Sequence, residues 1–131
     1  MKVKVKNWLN QLNNGEIKSK TTRVIYEIHK RTFKGKGFTT IDELRKDLSM
    51  AHQTLTAIVS NIQDEGLIAT YGEIENESGC VFQKIRYAGH EEREYLIRER
   101  RREKLSQWIK RGREEFNDLL PYSMIQELNN L

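Results

Sequence analysis

The chain of 131 residues has one cysteine and one proline. It also has no run of the about 18–20 apolar residues that a membrane-spanning helix needs. With Cys80 alone, an internal disulfide is excluded and a reducing compartment fits, so a cytoplasmic protein without membrane association is expected. At the head of strand-like sequence, Cys80 reads as a half-buried small residue rather than a redox switch. The start, Met1 to Lys6, alternates Lys with Val and lacks the apolar core of a signal peptide. His29, His52 and His90 are scattered, and no pair has metal-ligand spacing, so neither a metal nor a cofactor is expected. Glu27 and His29, two apart on a helix, do not face each other. Gly35-Lys36-Gly37 lacks the further glycine and the Lys-Ser/Thr ending of a phosphate-binding loop. With no cluster of acid, base or nucleophile, an enzyme is not expected.

Charge is plentiful and unevenly distributed. The net charge is +4, yet residues 1–36 hold ten Lys/Arg against two acids. Residues 37–79 hold two against eight, and residues 80–131 hold eleven against nine. The basic first third suits a phosphate backbone or, equally, a solvated surface. Abundant Lys, Asn, Ile and Glu with a single proline are compatible with a low-GC bacterium or its phage.

Periodicity divides the chain into elements. Residues 3–14 alternate at Val3 and Val5, then read as a short helix around Trp8, Leu9 and Leu12 that stops at Asn13-Asn14-Gly15. A helix is expected over 19–34 with Val24, Ile25, Ile28 and Phe33 inward. Thr40-Ile41-Asp42-Glu43 forms a capping box for a helix to Leu48, with Ile41, Leu44 and Leu48 on one face. After the turn Ser49-Met50-Ala51, residues 52–65 place Leu55, Ile58, Val59 and Ile62 at helical spacing, closed by Gly66. The period then changes to two. Residues 67–71 and 81–87 read as strands of a hairpin with a long polar tip at 72–79. From His90 a long helix carries Leu105, Trp108, Ile109, Phe116, Leu119 and Leu120 on one stripe, broken by Pro121. Met124, Ile125 and Leu128 suggest a last short helix. The expected class is mainly α with a small β-hairpin.

The segment TTIDELRKDLSMAHQTLTAIVSNIQDEGLIATYG, residues 39–72, resembles the DNA-binding core of the MarR and PadR families of winged-helix regulators. The likeness covers about residues 18–90. It implies a winged helix-turn-helix domain at 18–89, preceded by a basic arm or short helix at 1–17. The segment 90–131 then becomes a helical dimerisation element, with Leu105, Trp108, Ile109, Phe116, Leu119 and Leu120 at the interface. The alternative for that helix is that it folds back on its own domain.

If helix 52–65 enters a major groove, its N-terminal half reads bases. His52, Gln53, Thr54 and Thr56 are the leading candidates, and Ser60 and Asn61 are secondary. Gln53 suits a bidentate pair with adenine, and the threonines suit a thymine methyl or a phosphate. Backbone contacts are expected from Lys18, Lys20, Arg23, Lys34, Lys36, Lys84 and Arg86, with Lys2, Lys4 and Lys6 on a mobile arm. Two features depart from the families: Ala57 and Asn61 stand where arginines are usual, and the wing tip carries Glu73, Glu75 and Glu77. Such a tip is repelled by phosphate. The expected function is therefore sequence-specific binding of double-stranded DNA by a dimeric transcriptional regulator, most simply a repressor. The alternative is a protein-interaction module using the acidic wing, or an accessory protein of replication or of a mobile element.

Overall fold

The computed structural model describes residues 2–116, 126–127 and 129–131, with side chains described as far as Arg111 in the last long helix. The chain is mainly helical, with one two-stranded antiparallel hairpin and a long helix after it. Helix α1 spans Val3–Asn14, α2 Lys20–Phe33, α3 Ile41–Leu48 and α4 His52–Asp64. Strands β1 (Ile68–Glu75) and β2 (Val81–Tyr87) follow, then a 3-10 turn at His90–Glu92 and α5, Arg93–Phe116. No helix of the described residues is long and apolar enough to cross a membrane.

Local chemistry sets the helix boundaries. The Ser19 hydroxyl accepts from the Thr22 amide at 3.1 Å and starts α2. The buried Thr22 hydroxyl then donates to Gln11 Oε1 at 2.8 Å, tying α2 to α1. Thr40 caps α3 as expected, accepting from the Glu43 amide at 3.2 Å. The reciprocal half of the capping box is diverted: the Glu43 carboxylate instead accepts from Thr39 Oγ1 and meets Arg31 and Lys36. Between α3 and α4 the chain turns through Ser49 in the left-handed region, at φ 53°.

Val24, Ile25 and Ile28 of α2, Leu44 and Leu48 of α3, and Leu55, Val59 and Ile62 of α4 form one core with Leu67, Ile68 and Ile85. Val5 and Trp8 of α1 belong to the same core. Residues 3–14 thus form the expected short helix, which begins already at Val3 rather than after an alternating start. The one-turn spacing of Val5, Trp8, Leu9 and Leu12 gives α1 an apolar stripe, and that stripe is buried or packed on the core. Phe33, expected in the α2 stripe, is instead 62% exposed, because it falls on the far side of the helix from Val24, Ile25 and Ile28.

The hairpin is longer than its sequence suggests. Pairing runs from Ile68↔Tyr87 to Glu75↔Val81, with a bulge between Tyr71 and Glu73 where Gly72 has φ 57°. The turn is confined to a few residues because Asn76 Oδ1 accepts from both the Ser78 and Cys80 amides, at 3.0 and 2.8 Å. Cys80 is exposed at the end of this turn rather than half-buried. Thr39 and Ile85 exchange two backbone hydrogen bonds of 2.8 Å, a third short edge on the free side of β2.

Helix α5 folds back on its own domain. Two residues of its expected interface stripe, Leu105 and Ile109, are covered by the chain itself, at 3% and 7% exposed. The reason is electrostatic as well as apolar, since α4 ends in Asp64 and Glu65 and α5 brings Arg93, Arg100 and Lys104 against them. Trp108, on another side, is 60% exposed. The side chain of Phe116, together with Leu119, Leu120, Pro121, Met124, Ile125 and Leu128, lies outside the described residues.

Candidate nucleic-acid interface

Burial of Leu55, Val59 and Ile62 fixes which face of α4 points outward. At its N-terminal half His52, Gln53, Thr56 and Ala57 are exposed, and among the described residues none of their side chains makes a hydrogen bond or ion pair. Thr54 is half-buried. Helix α4 also starts at Ala51 with no side-chain cap and no acid in its first turn. Its first amides and the positive end of its dipole are therefore open to an anion.

The C-terminal half is closed. Arg100 Nη2 donates to Ser60 Oγ at 3.1 Å while its Nε donates to Asp64 Oδ1 at 2.9 Å. Lys104 Nζ lies 2.7 Å from the same carboxylate. On the other flank Lys4 Nζ donates to Asn61 Oδ1 at 3.2 Å. Ser60 and Asn61 are thus engaged by α5 and α1, which removes them from the open outward face of α4. Linear sequence hides this, because the partners of Ser60 and Asp64 stand forty residues away in an Arg-rich run that looks like a solvated helix face.

At the junction of α4 and α5 sits Glu65, 3% exposed. Lys2 and Lys4 lie 3.0 and 3.3 Å from Glu65 Oε1, and Arg93 approaches its other oxygen at 3.9 Å. Burial pushes this carboxyl up, but the hydrogen bonds and charges of Lys2 and Lys4 outweigh it and hold it below the usual glutamate range. Asp64 is likewise held low, with burial opposed by Lys104 and Arg100. The expected mobile basic arm is therefore a helix end whose first two lysines neutralise a buried acid.

The expected backbone-contacting cations fall into groups. Lys18 sits 3.7 Å from Glu16, Lys36 pairs with Glu43, and Arg86 lies 2.9 Å from Glu92. Arg23 and Lys34 lie on the side of α2 opposite its buried stripe, turned away from the open half of α4. Lys20 and Lys84 form no ion pair among the described residues. The Lys84 ammonium sits between two rings, 4.9 Å from Phe38 and 5.8 Å from Tyr71, on the solvent side of the hairpin.

The acidic tip is held near α3 rather than free. Asn76 Nδ2 donates to Asp42 Oδ2 at 3.4 Å, on a carboxylate that also takes Arg45 and Lys46. Among the described residues no group of three or more His, Cys, Asp or Glu is placed to hold a metal ion. Comparison with protein-family models, curated proteins and solved structures gives no match for this chain.

Proposed function

We propose that this chain is a winged helix-turn-helix protein that reads double-stranded DNA with the N-terminal half of α4, and that it acts as a dimeric regulator of transcription in the cytoplasm, most simply a repressor. The succession of α3, a three-residue turn, α4 and a hairpin supports the fold assignment. The observation that carries the function is the outward half-turn of α4. Gln53 and Thr56 stand exposed beside uncapped amides, while Ser60, Asn61 and Asp64 further along the same helix are already engaged. Gln53 has the donor and acceptor that pair bidentately with adenine, and Thr56 has a methyl and a hydroxyl for thymine or phosphate. Lys20 and Lys84 supply phosphate contacts that position without specifying. Two copies read two half-sites, with the exposed Trp108 as the apolar contact of α5.

The test is selection of duplexes from a random pool, with heparin competitor, at about 50 and 200 mM salt. A palindromic motif retained at the higher salt supports the reading. Retention only at low salt, without a motif, reduces it to non-specific attraction. No retention at either salt overturns it.

A further inference from the structure

Among the described residues, the charges left outside ion pairs include two surfaces of opposite sign, one on the hairpin and one on α2. Most acids of the middle segment are consumed internally: Asp42 by Arg45 and Lys46, Glu43 and Asp47 by Arg31, Asp64 and Glu65 by α5 and α1. Glu73, Glu75 and Glu77 are not. All three are exposed on the hairpin tip and form no ion pair among the described residues. Exposed Val81 stands opposite Glu75 in the register.

The complementary surface is the outward face of α2. Arg23, Tyr26, Lys30, Phe33 and Lys34 recur there at helical spacing with no acid between them, since Glu27 is turned aside to Arg31. Arg23, Lys30 and Lys34 are exposed and form no ion pair among the described residues. Tyr26 and Phe33 are 41% and 62% exposed, an unusual outlay of aromatic surface for a solvated helix. A cavity of about 240 Å³ opens beside them, floored by Leu9 and Leu12 of α1 and walled by His29 and Tyr87.

We propose that these two surfaces bind each other between copies of this chain, the acidic hairpin tip of one seated on the basic, aromatic face of α2 in the next. Three carboxylates meet three cations, and Val81 meets Phe33 and Tyr26. A single copy cannot make this contact. Tyr87 packs by α2, 4.8 Å from His29, at the base of β2, and the tip lies six residues further along the strand, about 20 Å away. The contact is heterologous, so repeated copies form a ring or an open row. It gives the acidic tip a role that phosphate could not, and it does not depend on the duplex-reading proposal.

The experiment is sedimentation velocity of the full chain in about 0.1 M and about 1 M salt, where the Debye length falls from about 10 to about 3 Å. The wild-type protein is expected to associate with rising concentration in the lower salt and to dissociate in the higher. Lys30→Glu/Lys34→Glu and Glu73→Lys/Glu75→Lys should each weaken association at least about tenfold. Mixing the two variants restores the contact twice, once as the native pair of acidic tip and basic α2 and once with the charges exchanged, and association should return, which misfolded variants could not produce. Trp108→Glu should leave this salt-sensitive association in place. A wild-type chain monomeric in low salt, an association indifferent to salt, or a mixture no better than its parts overturns the proposal.

Discussion

The main-chain oxygen of Arg93 lies 2.6 Å from where a β-carbon on Gly66 would stand. Gly66 also has φ +72°, at the end of α4 where its amide donates to the Gln63 carbonyl at 3.0 Å. One glycine thus ends α4 and admits the first turn of α5 against it. Glutamate, alanine or any other residue there would meet two penalties at once.

Gly66→Ala is accordingly expected to destabilise the fold by about 1–2 kcal/mol for the left-handed backbone. Pushing against Arg93 and the Ile97 side chain should add about 1–3 kcal/mol. Urea denaturation followed by circular dichroism measures the sum. Loss of less than about 1 kcal/mol would show that α5 does not press on this position as described. Gly15→Ala, with open space around it, is the comparison that isolates the backbone cost.

Acid should loosen the same junction. The folded carboxyls of Glu65 and Asp64 sit below their ordinary values of 4.5 and 3.8. In this range the folded state therefore holds fewer protons than the unfolded one, so the stability these groups contribute is present above their ordinary values and is lost as pH falls through the folded ones. Thermal melts between about pH 3 and 6 should show the midpoint falling progressively below pH 4.5. In Glu65→Gln that fall should be shallower, since one of the two groups no longer titrates. A wild-type midpoint flat down to pH 3 would mean that Lys2, Lys4 and Arg93 do not hold the acid in solution.

The contrast between Thr40 and Arg100 explains what the sequence makes legible. The cap at Thr40, the 3-4-7 stripe of α4 and the stop at Gly66 rest on neighbours within a few residues, and each stands where the pattern places it. The strands of the hairpin are legible in type but short in extent, because the Asn76 side chain closes in one turn what residues 72–79 suggest as a loose tip. The docking of α5 depends on Arg100 finding Ser60 and Asp64, and nothing in an arginine-rich amphipathic helix says whether its stripe faces its own chain or another. For α1, two alternating valines concealed a helical stripe that only Trp8, Leu9 and Leu12 continue.

Closure of the second half of α4 separates the candidate reading residues by experiment. Gln53→Ala with Thr56→Ala should relax duplex preference at the positions they touch by about 1–3 kcal/mol per lost contact, with an unchanged melting temperature. Asn61→Ala should leave preference intact, because its side chain accepts from Lys4 rather than facing outward unpartnered. Lys84→Ala should weaken all duplexes alike and reduce the salt dependence by about one phosphate contact. Quantitative binding to matched and mismatched duplexes reads all three. If Asn61→Ala changed preference as strongly as Gln53→Ala, the division of α4 into an open and a closed half would be wrong.

Two neighbouring residues on α5 distinguish a folded-back helix from a free dimerisation helix. Leu105 is 3% exposed and Trp108 is 60% exposed in a single copy. If α5 lies on its own domain, Leu105→Ala leaves a cavity and costs about 2–5 kcal/mol whatever the protein concentration. Trp108→Ala, at an exposed position with Arg111 over its ring, should change monomer stability by less than about 0.5 kcal/mol. Were both residues buried between subunits instead, both variants would melt lower, and their losses would depend on protein concentration. Melting curves of the two variants over a hundredfold concentration range decide between these arrangements, since only a helix held by its own chain makes the Leu105 loss independent of how many copies surround it.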